Sequence, residues 1–175
     1  DFKNRMKVLL GEEYEKFEAS SSENPVRSFR VNTNKISEEN FEKINPFGGK
    51  KIPYAENGFY FSCDGIGNHP YHHAGIIYIQ EPSAMAPVAG IEIQSDWNIL
   101  DLCASPGGKS TQAAEKNKDG ILVSNEIVPS RCKTLTGNIE RMGFRNVITT
   151  CADAKKIASL YGEAFDLVIV DAPCS

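Results

Sequence analysis

Asn98-Ile99-Leu100-Asp101-Leu102-Cys103-Ala104-Ser105-Pro106-Gly107-Gly108-Lys109-Ser110-Thr111 is an apolar run that ends in an acid and opens into a glycine turn. The order predicts strand, loop and helix. A buried strand delivers Asp101 to its carboxyl end, Pro106-Gly107-Gly108 lets the backbone turn sharply and approach a ligand, and helical spacing resumes at Ser110. An α/β sheet builds a small-molecule pocket in this way.

Working outward, strand and helix patterns alternate on both sides of this segment. Strands are predicted at 76–79, 99–102, 121–124, 147–149 and 165–170. Helices are predicted at 82–88, 110–116, 129–142, which has proline in its first turn, and 154–161. Four of the strands end near an acid, namely Asp101, Glu126, Asp153 and Asp171. Such alternation implies right-handed crossovers and a parallel sheet whose pocket lies at the carboxyl ends of the strands.

The leading part of the chain has a different grammar. Phe2, Met6, Leu9, Leu10, Tyr14 and Phe17 recur at helical spacing and predict one amphipathic helix over roughly the first 18 residues. The stretches 26–32 and 58–62 read as strands, and Ser37 is placed to cap a short helix carrying Phe41 and Ile44. The expected organisation is a small α+β lobe at 1–70 followed by a Rossmann-like α/β domain at 71–175.

Composition narrows the classes of function. With 175 residues, 41% of them hydrophobic, the chain can bury one good core, or one small and one medium lobe. Runs such as Leu167-Val168-Ile169-Val170 are strand length and far short of the roughly 20 apolar residues of a membrane helix. The charged opening at 1–7 is unlike a signal peptide. Five cysteines, Cys63, Cys103, Cys132, Cys151 and Cys174, are odd in number and form no spaced framework, which fits a reducing cytoplasm. A net charge of −4 argues against a polynucleotide gripped by the whole surface but leaves room for a local basic face. Lys3, Arg5, Lys7, Arg27, Arg30, Lys35, Lys50 and Lys51 read on charge alone as solvated surface. Cys63, His69, His72 and His73 match no standard zinc spacing, so no metal is expected. Phe59, Tyr60, Phe61 and Tyr71 read as filling a small core rather than stacking on bases.

Glu126 follows the glycine turn by roughly 20 residues, just past the second strand, where an acid hydrogen-bonds ribose hydroxyls. The turn is neither the three-glycine dinucleotide fingerprint nor the G-x-x-x-x-G-K-[ST] phosphate loop. A cofactor without a pyrophosphate therefore fits best. S-adenosylmethionine is such a cofactor, with its amino-acid end at the glycine turn, ribose on Glu126 and adenine near Asp153. NAD-dependent oxidoreductases share the acid after the second strand and remain the competing enzyme class. At the far end, Asp171-Ala172-Pro173-Cys174 hangs from the last strand into the same crevice. A thiolate there has a carbon to attack, and Asp171 a polar edge of the same substrate to hold. The other reading of Cys174 is an inert strand-end thiol.

Tyr78-Ile79-Gln80-Glu81-Pro82-Ser83-Ala84-Met85, the 101–109 segment and Asp171-Ala172-Pro173-Cys174-Ser175, in this order, resemble the Nop/Sun-type RNA 5-methylcytosine methyltransferases. Arg5-Met6-Lys7-Val8-Leu9-Leu10-Gly11-Glu12-Glu13-Tyr14 and His72-His73-Ala74-Gly75 look like the N-terminal region of bacterial members that modify 16S ribosomal RNA. The resemblance implies an S-adenosylmethionine-dependent, Rossmann-like fold of which this chain holds the first half of the sheet. It implies cofactor binding by Cys103, Ala104, Ser105, Pro106, Gly107, Gly108, Lys109, Glu126, Asp153 and Asp171, and a catalytic group of Cys174, Asp171 and Lys109. In that family a cysteine thiolate adds to cytosine C6, the activated C5 takes the methyl group, and loss of the C5 proton lets the thiol leave.

The family uses two cysteines. The one matching Cys174 assists product release, and the nucleophile lies further along, in a Thr-Cys-Ser context beyond Ser175. DNA cytosine methyltransferases instead attack with a Pro-Cys cysteine, an analogy that would make Cys174 the nucleophile. The resemblance thus implies 16S ribosomal RNA or the small ribosomal subunit as partner, no membrane, and a monomer at full length. The 175-residue chain alone is expected to be inactive, with 167–170 as an unpaired apolar edge. Transfer RNA as substrate, and a non-catalytic binding module of the same fold, are the alternatives.

Overall fold

The computed structural model describes residues 1–173. Two sheets carry the fold. The first is antiparallel, in the order β2-β1-β3, from β1 (Arg27–Val31), β2 (Gly58–Phe61) and β3 (Ile77–Ile79). Alternation along β1 explains its position. Phe29 and Val31 point into an aromatic cluster with Phe59, Phe61 and Phe41, the last from α3 (Glu38–Ile44). Phe29 lies 5.7 Å from Phe41, 5.4 Å from Phe47 and 5.6 Å from Phe59, centroid to centroid, the spacing of favourable ring pairs. Ser37 accepts from the Asn40 amide and caps α3 as its sequence position predicts.

The strand at 76–79, expected to open the parallel alternation, is instead the third strand of this antiparallel sheet, with Phe29 opposite Ile79 and Val31 opposite Ile77. Its residues serve two cores: Ile77 joins the aromatic cluster, and Tyr78 joins the core of the second sheet. A strand apolar on both faces gives no sequence signal for which sheet it joins. The antiparallel sheet therefore draws a strand from beyond residue 70.

The N-terminal helix also differs from expectation. It is divided into α1 (Phe2–Leu10), a 3-10 turn at Gly11–Glu13 and α2 (Tyr14–Ser21). Gly11 ends α1 at φ +50°, a conformation only glycine adopts readily, so the apolar spacing continues while the helix does not.

The second sheet is parallel, in the order β6-β5-β4-β7, from β4 (Ile99–Asp101), β5 (Leu122–Asn125), β6 (Val147–Thr150) and β7 (Leu167–Ile169). One face packs Ile99, Leu122 and Ile169 against Leu135, Ile139 and Met142 of α7 (Pro129–Met142) and Ala113 of α6 (Gly108–Lys116). The other packs Leu100 and Val123 on Ile157 of α8 (Ala154–Tyr161). The chain runs outward from β4 through β5 to β6 and then returns to β7 on the opposite side of β4. That reversal opens a crevice at the carboxyl ends of β4 and β7. Between the sheets, α4 (Pro70–His73) precedes β3, and α5 (Pro82–Ala89) follows it.

Arg30 departs most sharply from its sequence reading. It is 0% exposed, and its guanidinium meets Glu115 of α6 at 3.2 Å. Charge counting placed it on the surface because its partner stands 85 residues away.

Candidate functional site

The loop after β4 is held from every side. The Ala104 amide donates to the Asn125 carbonyl at 2.8 Å, and the Gly107 amide to Ala104 at 2.7 Å. Arg131 Nη2 donates to the Ser105 carbonyl at 3.0 Å, and Ser105 Oγ returns a bond to the Arg131 carbonyl at 2.9 Å. The Pro106 carbonyl accepts from Asn138 Nδ2 at 2.8 Å and from the Tyr78 hydroxyl at 3.1 Å. Gly107 has φ +108°, and a Cβ there would sit 3.1 Å from Leu135 Cδ1, so the turn requires glycine. Among the described residues no side chain caps the N-terminus of α6, leaving orphan amide donors at the helix end that favours negative charge.

This loop forms one wall of a cavity of about 250 Å³. Asp101, Cys103, Ala104, Ser105, Pro106, Gly108, Lys109 and Asp171 line it on the parallel-sheet side, and Tyr78, Gln80 and Glu81 line it on the other. A larger cleft of about 910 Å³ runs past Tyr54, Asn57 and Lys116, away from the strand ends. The smaller cavity is the one that holds the strand-end acids Asp101 and Asp171.

Asp101 is its most unusual group. It is 1% exposed; Oδ2 accepts from Ser110 Oγ at 2.7 Å, Ser110 Oγ accepts from Ser124 Oγ at 2.8 Å, and Oδ1 has no partner among the described residues. Burial pushes the Asp101 carboxyl up to about 6, against the lowering effects of the Ser110 hydrogen bond and the Lys109 charge. A buried acceptor without a donor is costly unless a ligand supplies one.

Lys109 Nζ meets Asp171 Oδ2 at 2.6 Å across the mouth of the cavity, joining the glycine loop to the end of β7. Burial, followed by the negative charges of Glu126 and Asp101, raises the Cys103 thiol above its ordinary value. It remains a neutral thiol near pH 7 and a poor nucleophile. Glu126 is buried, with Oε1 accepting from the Val128 amide at 3.0 Å and Oε2 3.4 Å from Arg131 Nη2. Asp153 is exposed and caps α8 by accepting from the Lys155 amide at 2.8 Å.

Of the residues expected to bind a cofactor, all but Gly107, Glu126 and Asp153 line this cavity. Gly107 shapes the turn beneath it, while Glu126 and Asp153 stand at the ends of the neighbouring strands. Cys174 lies outside the described residues. Sequence reasoning missed Arg131, which bridges the loop and Glu126, and Asn125, whose side chain donates to the Leu102 and Ala152 carbonyls and ties three strand ends together. The available signal for Arg131 was its place five residues after Glu126, in the first turn of a proline-started helix. Tyr78 and Gln80 were legible only as part of a motif, because they reach the cavity from the other sheet. Among the described residues no group of three or more His, Cys, Asp or Glu side chains is arranged to hold a metal ion, and no helix is long and apolar enough to cross a membrane.

Comparison with known proteins extends over nearly the whole chain. Residues 1–82 match the N-terminal domain of 16S rRNA methyltransferase RsmF, and residues 88–175 match 16S rRNA methyltransferase RsmB/F. The ribosomal RNA small subunit methyltransferase F of Aeromonas salmonicida is 42% identical over 161 residues, covering 85% of this chain and 34% of that protein. That of Vibrio campbellii is 41% identical over 167 residues, covering 89% and 35%. The chain thus spans about a third of the length of the curated relatives it matches. Among solved structures, a methyltransferase homolog from Pyrococcus horikoshii superposes with a TM-score of 0.87 at 32% identity, covering 99% of this chain and 59% of that one. NSun6 from Pyrococcus horikoshii, solved with SFG, superposes at 0.85 and 21% identity over 98% of this chain and 70% of that one, which shows the shared fold.

Proposed function

Because this chain belongs to the 16S rRNA methyltransferase RsmB/F family, we propose that its intact protein methylates cytosine C5 in RNA, with 16S ribosomal RNA as substrate and S-adenosylmethionine as cofactor. The observation that carries the cofactor assignment is the buried Asp101 Oδ1, without a hydrogen-bond partner among the described residues, in the cavity beside a helix N-terminus that no described side chain caps. The methionine end of S-adenosylmethionine bears an ammonium and a carboxylate. Asp101 supplies an acceptor for the first, and the orphan amides of α6 supply donors for the second. Glu126, held by Val128 and Arg131, supplies the acid for ribose hydroxyls, and the loop lacks the three-glycine fingerprint of dinucleotide sites. Bound there, the cofactor supplies an electrophilic methyl group.

The rest of the chemistry belongs to the protein. A cysteine thiolate adds to C6 of cytosine and makes C5 nucleophilic; after methyl transfer the C5 proton is lost and the thiolate leaves. Cys103 is unsuited to the attack, since burial and flanking acids hold it as a thiol. In the family the attacking cysteine stands in a Thr-Cys-Ser context and the cysteine matching Cys174 assists release, and the intact protein is assigned the same division of roles. Lys109 and Asp171, paired at the cavity mouth, orient the polar edge of the base. The N-terminal lobe adds a surface for RNA, and the site of action is the cytoplasm.

Calorimetry and transfer assays on the intact protein test this reading. S-adenosylmethionine is expected to bind and NAD is not, and nucleoside mass spectrometry is expected to find 5-methylcytidine in treated 16S RNA. Methylation confined to transfer RNA or to protein would overturn the substrate assignment.

A further inference from the structure

β1 presents two faces. Phe29 and Val31 fill the aromatic core, while Arg30 and Asn32 turn toward the parallel domain, where Asn32 Nδ2 donates to the Met142 carbonyl at 2.8 Å. Arg30 makes the larger set of contacts. Its Nε donates to Gln80 Oε1 at 2.8 Å, Nη2 donates to the Gly108 carbonyl at 3.0 Å and to Thr111 Oγ1 at 2.7 Å, and Nη1 meets Glu115 Oε2 at 3.2 Å. Gly108, Thr111 and Glu115 lie along one stripe of α6, so a single planar fork spans two turns of the helix. Glu115 is itself held from the N-terminal lobe: Oε1 accepts from the Thr33 amide at 2.6 Å and Oε2 from Asn57 Nδ2 at 2.8 Å.

This placement is poor for helix stability alone. A cation sits by the N-terminal turn of α6 and an anion in its last turn, each opposed to the helix dipole. A buried ion pair is also weak evidence for stability, because desolvation offsets most of the attraction. Arg30 does, however, touch both walls of the cavity through Gln80 on one side and Gly108 on the other. A Cβ added at Gly108 would come within 3.1 Å of the Gln80 side chain, so the two walls meet at contact distance where Arg30 ties them.

We propose that Arg30, anchored by Glu115, is a positioning residue that sets the separation between the Gln80 wall and the Gly107–Gly108 turn of the cofactor cavity. The inference rests on the reading of that cavity as the S-adenosylmethionine site. Its mechanical half, the bracing of the turn, holds whatever the ligand.

The test uses the intact protein and two variants. In Arg30→Met/Glu115→Leu, apolar side chains of similar bulk replace the pair, an exchange that is often neutral for stability. In Arg30→Lys, the buried cation against Glu115 is kept but the fork is lost, so the variant stays informative if the double variant does not fold. Each is expected to weaken S-adenosylmethionine binding by the folded fraction roughly tenfold in calorimetry. Each is also expected to speed ligand-free hydrogen exchange of the amides at 107–112 by a similar factor. A purely structural role would lower the melting temperature and leave the affinity of the folded fraction unchanged. Affinity and exchange both within twofold of the parent in a folded variant would overturn the proposal. If the parent itself does not bind S-adenosylmethionine, the functional reading fails, and the exchange measurement still decides whether Arg30 braces the turn.

Discussion

The two sheets of this chain bury polar groups to different ends. In the antiparallel sheet the interior is ring against ring, Phe29 with Phe41, Phe47, Phe59 and Phe61, and the polar residues of β1 leave that core on the opposite face. In the parallel sheet, acids ride to the strand ends, and two of them are buried there, Asp101 at 1% exposure and Glu126 at 3%, while Asp153 and Asp171 are exposed. The inward residues of the antiparallel sheet chiefly hold the lobe together, and Tyr78 of β3 also reaches the cavity. Parallel strands instead bring their carboxyl ends to one rim that the crossover helices leave uncovered, and an acid kept there is available to a ligand. Stability should therefore concentrate in the first region and ligand chemistry in the second.

Substitutions can break that division. Phe29→Ala, at the centre of the aromatic cluster, is expected to cost about 3–5 kcal/mol, read as a lowered urea midpoint of the intact protein. A loss below about 1 kcal/mol would show that the cluster is not the keystone of its lobe. Asp101→Asn comes next and tests the other region. Burial holds the folded carboxyl at about 6, above its unfolded value near 4, so its contribution to stability is full below about pH 4 and lost as pH rises through about 6. The asparagine variant should flatten that dependence by on the order of 2 kcal/mol between pH 4 and pH 7. Urea melts at the two pH values measure it, and an unchanged slope would mean Asp101 is as well solvated as a surface acid.

Smaller effects sharpen the comparison. Glu126→Ala is expected to weaken S-adenosylmethionine binding by about 1.5–3 kcal/mol, roughly ten- to a hundredfold, with a smaller cost in stability than Phe29→Ala. Calorimetry beside a urea melt gives both numbers, and the reverse ranking would erase the distinction between the regions. Lys109→Met should change stability least, by under about 1 kcal/mol, because its partner Asp171 is 64% exposed and solvent screens the pair. The same variant should nonetheless lose most methyl transfer, read as incorporation of labelled methyl groups into RNA.

The strands and helices of the parallel domain were legible because each carries its own period: the helices at Pro129–Met142 and Ala154–Tyr161 end where their spacing ends. The glycine loop was legible because its turn residues are local requirements. Three features were not. The division of the first helix at Gly11 was masked by apolar spacing that runs through the break. The membership of β3 was ambiguous because Ile77 and Tyr78 are apolar toward two different cores. Arg30 looked like a surface cation because charge along the chain says nothing about a partner on another domain's helix.

By itself the sequence determined the strand–loop–helix unit at 98–111, the acids at successive strand ends and the motifs that mark the family, since turn chemistry, periodicity and motif order are all properties of neighbouring residues. Only the tertiary structure decided that the cavity has a second wall, built by Tyr78 and Gln80 of the antiparallel side, and that Arg30 ties it to the glycine turn. Those contacts join residues from about 30 to 85 positions apart, and their free energy exists only once both sheets have formed.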